Sequence, residues 1–270
     1  MKTLGLCLSG GGARGAYQAG ALRALHESGI LKDVQYISGT SIGAANAAVY
    51  ASTSIDQLES VWFNIPENAY KHEKPLLSRL LEDKLKAIDQ GIYSMDTFSS
   101  IMMQHVSPEI KHAKRVFVTV SDGGDENKGL FGLVKSSYEH YLRKDSKVIY
   151  LPLDELTPQE AHKAVVASCS IPVVFPAVKN DHHKFYDGGV FDNTPIKPLI
   201  QSGCDEIIII QLNKQYFFKP ESIEGVVIHE IKHQKSLGGV LDFSKEHINK
   251  IYQAGFDDAL AWVNARKYQR

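Results

Sequence analysis

The chain has 270 residues, 43% apolar and 23% charged, which is the make-up of a globular protein and excludes gross disorder. Lys plus Arg number 30 and Asp plus Glu 31, so the net charge of −1 argues against a nucleic-acid binder working by bulk charge. A chain this long buries roughly three-quarters of the surface its unfolded form exposes, and needs no disulfide or metal staple.

Taken in chain order, Thr3 to Ser9 reads as a buried strand, followed by a glycine turn and a helix from about Arg14 to Ser28. That helix is rich in small residues (Ala16, Ala19, Gly20, Ala21, Ala24), which suits close packing against a sheet. Val34 to Ser38 predicts a second strand and Ile42 to Ala51 a second small-residue helix. Strand, helix, strand, helix in immediate succession predicts a parallel α/β sheet. From Ile55 to about Ile110 the pattern is helical and more polar, and Val116 to Ser121 and Val148 to Leu151 read as further strands. Thr157-Pro158-Gln159-Glu160 matches a capping box with proline at the first helical position, opening a helix to about Cys169. Ile207 to Leu212 is the continuous apolar run of a central parallel strand. His247 to Lys267 closes the chain as an amphipathic helix, with Ile248, Ile251, Tyr252, Gly255, Phe256, Ala259, Leu260 and Val263 on its buried face. No repeat, low-complexity tract or linker interrupts the pattern, so residues 1–270 are read as a single domain.

Cys7, Cys169 and Cys204 form no Cys-x-x-Cys pair, and each sits among apolar or small residues. They read as three buried reduced thiols of a cytosolic protein. The apolar run from Leu4 to Leu8 is too short for a secretory signal core and leads straight into glycines. The longest uncharged stretch, Val34 to Ile55, carries Gln, Asn, Ser, Thr and two Gly, and cannot span a bilayer as a continuous apolar helix. The expectation is a soluble cytoplasmic protein, with peripheral membrane contact left open.

Three motifs carry chemistry. Gly10-Gly11-Gly12-Ala13-Arg14-Gly15 lies between the first strand and the first helix. Consecutive glycines there let backbone N–H groups turn toward one point, where the helix dipole stabilises negative charge. The pattern fits a dinucleotide pyrophosphate, an oxyanion or only a tight turn. A dinucleotide site requires an acid at the end of the second strand, whereas the nearby Asp33 precedes that strand. Gly39-Thr40-Ser41-Ile42-Gly43 is a G-x-S-x-G at a strand-to-helix junction, the context of a nucleophile elbow. Phe185-Tyr186-Asp187-Gly188-Gly189, followed by Asn193 and Pro195, offers either a turn-forming Asp or the base a serine nucleophile needs. Upstream of it, Ala167-Ser168-Cys169-Ser170-Ile171-Pro172 and Val174-Phe175-Pro176 suit either an acyl-chain lining or ordinary core packing.

Together these segments resemble the patatin-like phospholipase family, in the family's order and spread from Leu4 to Leu212, most of the chain. The resemblance implies a three-layer α/β/α fold around a central, mostly parallel sheet, and hydrolysis of fatty acyl lipid esters with neither metal nor other cofactor. It implies Ser41 as nucleophile, Asp187 as its only side-chain partner, and N–H groups of Gly10, Gly11, Gly12 and Ala13 as the oxyanion hole. Arg14, Gly15, Gly39, Gly43, Gly188 and Gly189 complete the matching motifs. The partner it implies is a lipid ester substrate; it names no protein partner.

Other readings compete. A Ser-His-Asp triad could draw on His229, His233 or His247, which follow Asp187 in the chain. His229-Glu230-Ile231-Lys232-His233 is a literal H-E-x-x-H, read either as the helical zinc-hydrolase signature or as a solvated helix face; Gly239 stands where the extended form requires a third histidine, and Glu246 and His247 are at no recognised spacing. A non-catalytic scaffold would keep the fold and lose the chemistry. Tyr216-Phe217-Phe218-Lys219-Pro220 suits either membrane-interface insertion or a buried cap, and Asp181-His182-His183 reads as a solvated hairpin tip.

Overall fold

The computed structural model describes residues 2–66, 96–125, 148–170, 178–180, 183–190, 192–213 and 225–267. Eight strands join in one sheet: β1 (Leu4–Leu8), β2 (Val34–Thr40), β3 (Arg115–Asp125), β4 (Val148–Pro152), β5 (Val178–Asn180), β6 (His183–Asp187), β7 (Glu206–Gln211) and β8 (Val227–Lys232). Their order is β5-β6-β3-β2-β1-β7-β8, with β4 also paired to β3. The run β3-β2-β1-β7-β8 is parallel throughout, and the pairings of β4, β5 and β6 are antiparallel.

The central strands are buried on both faces, as parallel strands covered by crossover helices must be. Every residue of β1 and β7 is buried. Side-chain alternation divides them cleanly. Leu6, Leu8, Ile208 and Ile210 join the larger apolar core, while Cys7, Ile207 and Ile209 join a smaller one. Six helices contribute to the larger core: α1 (Gly15–Glu27), α2 (Ile42–Ser52), α3 (Ile55–Asn64), α4 (Asp96–His105), α5 (Pro158–Ser168) and the terminal α7 (Lys245–Lys267). On the other face, among the described residues, the short α6 (Lys197–Gln201) supplies Leu199. The fold is the expected three-layer α/β/α arrangement with layers of unequal thickness. All three cysteines are unpaired and buried.

Local sequence accounts for the helix boundaries. Ser54 caps α3 by accepting from Gln57 N at 3.1 Å, and the Thr157–Glu160 capping box opens α5 as its sequence predicts. The small residues of α1 meet a helix as well as the sheet: a Cβ added at Gly20 would collide with the Tyr252 carbonyl of α7, and one added at Gly255 with the Tyr17 carbonyl. This reciprocal contact lets the two backbones approach closely.

Two expectations are corrected. Leu260 does not lie on the buried face of α7 but is 40% exposed, and Ile248, Ile251, Ala259 and Val263 form the buried stripe. The H-E-x-x-H segment is not helical. His229 to Lys232 belong to β8, paired in parallel register with β7, and His233 follows the strand. Val227, Ile228 and Ile231 favour an extended chain once a partner strand is present. Four residues of strand span roughly 13 Å, so the two imidazoles are not brought together as they would be on one helix face. Among the described residues, no helix is long and apolar enough to cross a membrane.

Candidate active site

β2 ends at Thr40, and α2 begins at Ile42, so Ser41 occupies the single residue between strand and helix. Its φ of 57° and ψ of −129° make it the one non-glycine residue with positive φ among those described. Such a conformation costs about 1–3 kcal/mol and persists only where its surroundings enforce it. The flanking glycines make it feasible. A Cβ at Gly39 would lie 2.5 Å from the Gly43 carbonyl oxygen, and one at Gly43 would strike the Leu8 carbonyl of β1. The Ser41 N–H donates to Ser168 Oγ at 2.9 Å, and Ser168 Oγ donates to the Thr119 carbonyl at 2.6 Å. Ser168 thus ties the elbow to β3 from the end of α5.

Asp187 reaches Ser41 through the register of β3. β2 runs along one edge of β3 until Thr40 faces Thr119, and on that edge the next residue, Val120, faces Asp187 of β6. The opposite edge at Val120 and Ser121 is filled by β4. Ser41 Oγ donates to Asp187 Oδ2 at 2.5 Å, across 146 positions of chain. Asp187 Oδ1 accepts from Gly189 N at 2.7 Å, while its backbone is held by Ser170 O and Ser121 Oγ. Asp187 is 5% exposed. Burial raises its pKa from 3.8 to about 6, against the lowering effect of the bonds from Ser41 and Gly189. No histidine stands between the serine and the carboxylate.

The Gly10–Gly15 loop lies against this pair. A Cβ at Gly10 would sit 3.1 Å from Ser41 Cβ and would overlap the Asn193 side chain. Gly10 N donates to Asn193 O at 3.1 Å, and Asn193 Nδ2 returns a bond to Gly10 O at 3.3 Å. Ala13 N donates to Val240 O at 2.8 Å. Two of the four amides that the sequence nominated for an oxyanion hole are therefore already engaged, Gly10 by Asn193 and Ala13 by Val240. Neither Gly11 nor Gly12 N–H donates a hydrogen bond among the described residues. The segment after Gly189 is zipped to β2: Thr40 Oγ1 donates to Asp192 O at 2.8 Å and Ser38 Oγ to Pro195 O at 2.5 Å. Arg14 is engaged by residues beyond the Ser41–Asp187 pair. Its Nε and Nη2 donate to Gly238 O at 2.9 and 2.7 Å, and its Nη1 to Asn213 Oδ1 at 2.9 Å.

The histidines proposed for a triad or a metal are committed elsewhere. His229 Nε2 meets Glu206 Oε1 at 2.8 Å, and His233 Nδ1 meets Asp258 Oδ2 at 2.8 Å. Glu230 pairs with Lys232 at 2.6 Å, and His247 lies 3.8 Å from Asp242. Among the described residues, no three His, Cys, Asp or Glu side chains gather as a metal cage. Ile171 to Phe175 and Pro176, the aromatic run Tyr216 to Pro220, and the hairpin residues Asp181 and His182 lie outside the described residues. Beside the elbow, an apolar crevice between α2, α3 and α4 is lined by Ile42, Val49, Leu58, Trp62, Phe98 and Met102, among others.

Sequence reasoning quoted Ser168 only as part of a lining segment, and did not single out Gln18, Asn46 or Trp62. Their signal is three-dimensional: buried polar groups whose partners lie on other elements, backbone carbonyls for Ser168, Gln18 and Asn46 and the Asn46 side chain for Trp62.

A family model described as patatin-like phospholipase matches residues 6–200. The chain is 26% identical over 216 residues to lysophospholipase NTE1 of Cryptococcus neoformans, covering 78% of this chain and 11% of that protein. It is 48% identical over 67 residues to the patatin-like phospholipase domain-containing protein ZK370.4 of Caenorhabditis elegans, covering 23% of this chain and 5% of that one. The chain thus spans about a tenth or less of the length of these relatives. In fold it is similar to human GIVD cytosolic phospholipase A2, with a TM-score of 0.55 at 9% identity, over 98% of this chain and 59% of that one. It is also similar to VipD from Legionella pneumophila, with a TM-score of 0.50 at 14% identity, over 98% of this chain and 67% of that one.

Proposed function

The chain belongs to the patatin-like phospholipase family, and from that membership we propose that it hydrolyses fatty acyl esters of glycerophospholipids or lysophospholipids through a Ser41–Asp187 dyad. One observation carries the reading: the 2.5 Å hydrogen bond from Ser41 Oγ to a buried carboxylate. The names of the relatives, lysophospholipase and cytosolic phospholipase A2, support the substrate class.

In this mechanism Asp187 Oδ2 takes the Ser41 proton as Oγ attacks the ester carbonyl carbon. The resulting oxyanion is held by the Gly11 and Gly12 N–H groups, with the N-terminal dipole of α2 adding to the field. As the carbonyl reforms, the bond to the alkoxy oxygen breaks, and Asp187 gives its proton to the departing alcohol. Water then enters; Asp187 takes one of its protons, and the hydroxyl attacks the acyl carbon. Ser41 Oγ leaves, recovering the proton from Asp187, and a fatty acid is released. A carboxylate is a weak base for an alcohol, so its raised pKa and the preorganised oxyanion site share the barrier lowering.

The test is a panel of lysophospholipids, diacyl phospholipids and simple esters, with mass detection of released acids and fluorophosphonate labelling of the protein. Wild type should release fatty acid and be labelled at Ser41, and Ser41→Ala should do neither. Asp187→Asn should lose turnover by about three orders of magnitude or more. Near-native turnover by Asp187→Asn would overturn the dyad, and absence of labelling would overturn the serine mechanism.

A further inference from the structure

Three buried polar side chains beside the site form one connected path that the mechanism above does not use. Gln18 of α1 is 0% exposed, Asn46 of α2 1% and Trp62 of α3 3%. Trp62 Nε1 donates to Asn46 Oδ1 at 2.9 Å. Asn46 Nδ2 donates to Gln18 Oε1 at 2.9 Å and to the Gly15 carbonyl at 3.0 Å. Gln18 Nε2 donates to the carbonyls of Ser9 at 2.8 Å and Ile210 at 3.2 Å. The direction of the chain is fixed: turning over the Asn46 amide would set its oxygen against the Gly15 carbonyl and its NH2 against the indole N–H.

The placement of the end points is informative. Ser9 immediately precedes Gly10, and Gly15 immediately follows Arg14, so the path grips the glycine loop by the carbonyl at each end. Asn46 belongs to α2, whose N-cap is Ser41. The path therefore joins the two halves of the site, the glycine loop and the nucleophile helix, by hydrogen bonds with defined lengths. A packed apolar cluster would hold these helices together equally well, without fixing the distance between loop and elbow so narrowly. At its far end, Trp62 also lines the crevice beside Ile42 and stacks on Phe243 at 6.4 Å.

We propose that Asn46 and Gln18 are positioning residues that hold the glycine-loop amides at working distance from Ser41, and that Trp62 orients the Asn46 amide for that task. The inference rests on the hydrolase reading and deepens it.

The experiment compares wild type, Asn46→Leu and Trp62→Phe on p-nitrophenyl esters from acetate to decanoate. It reads kcat, KM, the rate of fluorophosphonate labelling and the melting temperature. Asn46→Leu preserves shape but breaks the path; kcat and labelling rate should fall by about 100-fold on every ester, with KM changed by less than about threefold. Trp62→Phe keeps a ring against Phe243 but removes the N–H. Its kcat and labelling rate should fall about tenfold on every ester, less than in Asn46→Leu because the Asn46 bonds to Gln18 and Gly15 remain. If Asn46→Leu does not fold, Trp62→Phe decides the matter. Folded variants with kcat and labelling within about twofold of wild type would overturn the inference, as would a loss confined to KM. A wild type whose Ser41 is never labelled would sink the hydrolase reading and this inference together, whereas a labelled wild type with unaltered variants would sink the inference alone.

Discussion

Thr40 and Asp187 dock in succession along the same edge of β3, opposite Thr119 and Val120. One comes from a parallel strand and the other from an antiparallel strand, and the edge of β3 passes from β2 to β6 between them. The separation of Ser41 from Asp187 is therefore set by backbone hydrogen bonds, not by the reach of a flexible side chain. That is the kind of rigid support a two-residue site requires.

The first prediction concerns pH. With the Asp187 pKa raised from 3.8 to about 6, mainly by burial, the carboxylate is ready to accept a proton only above that point. The kcat/KM profile on a soluble ester should rise by one proton through about pH 6 and level off above it. A limb at pH 4, as for an ordinary solvated carboxylate, would show that Asp187 is not the group whose ionisation limits the reaction.

Stability should carry the opposite sign. A folded-state pKa above the unfolded one means that Asp187 contributes most below about pH 4, and that its contribution is lost as pH rises through about 6. At pH 8 the native protein holds an ionised carboxylate in a buried site, at a cost of a few kcal/mol relative to the neutral group. Asp187→Asn should therefore melt higher than wild type at pH 8, with a much smaller difference at pH 4. A lower melting temperature at both values would mean that the Ser41 and Gly189 bonds outweigh the desolvation.

Glycine substitutions should separate elbow geometry from loop geometry. Gly43→Ala drives a methyl into the Leu8 carbonyl of β1, where only backbone can yield, so it should unfold the protein or lower its melting temperature sharply. Gly10→Ala meets the end of the Asn193 side chain and Ser41 Cβ at 3.1 Å. It should fold, but with activity reduced by about tenfold or more, since it presses on Ser41 itself. Equal effects in thermal melts and ester assays would contradict this division.

What the sequence disclosed follows the range of the interactions. Gly39–Gly43 is local, because the strained turn, its glycines and the following helix lie within a few residues, and so it could be read directly. β1 and β7 were legible as unbroken apolar runs. β8 was not, because His229-Glu230-Ile231-Lys232-His233 satisfies a helical signature and becomes a strand only through pairing with β7. Ser168 supports Ser41 from 127 positions away through a backbone N–H, which leaves no trace in local spacing. Gln18 and Asn46 look like ordinary polar interruptions of small-residue helices until the fold sets them face to face. The engagement of Gly10 and Ala13 was hidden for the same reason, since their acceptors, Asn193 and Val240, come from distant segments.

The histidines offer a test of the alternatives. His229 shares Glu206 with Arg266 near the start of β7, the end of the strand remote from Ser41. Removing it leaves a mostly buried carboxylate with one partner fewer, so His229→Ala should lower the melting temperature while leaving kcat within about twofold. His233→Ala and incubation with a chelator should also leave kcat unchanged. Loss of turnover with retained stability in either case would revive a histidine-dependent or metal-dependent mechanism.

Arg14 supplies the last prediction. It lies within the glycine motif, yet its guanidinium grips the Gly238 carbonyl with two N–H groups and Asn213 with a third, and Asn213 Nδ2 in turn donates to Gly10 O at 2.9 Å. The loop that carries Gly238 also provides Val240 O, which accepts from Ala13 N. Through these bonds Arg14 braces the glycine loop. A lysine has one point charge and no planar fork, so it cannot span Gly238 and Asn213 together. Arg14→Lys and Arg14→Ala should lower kcat by similar factors, about tenfold or more, with KM for a neutral ester little changed. Should Lys restore full activity, a cation near the substrate would explain Arg14 better than a brace.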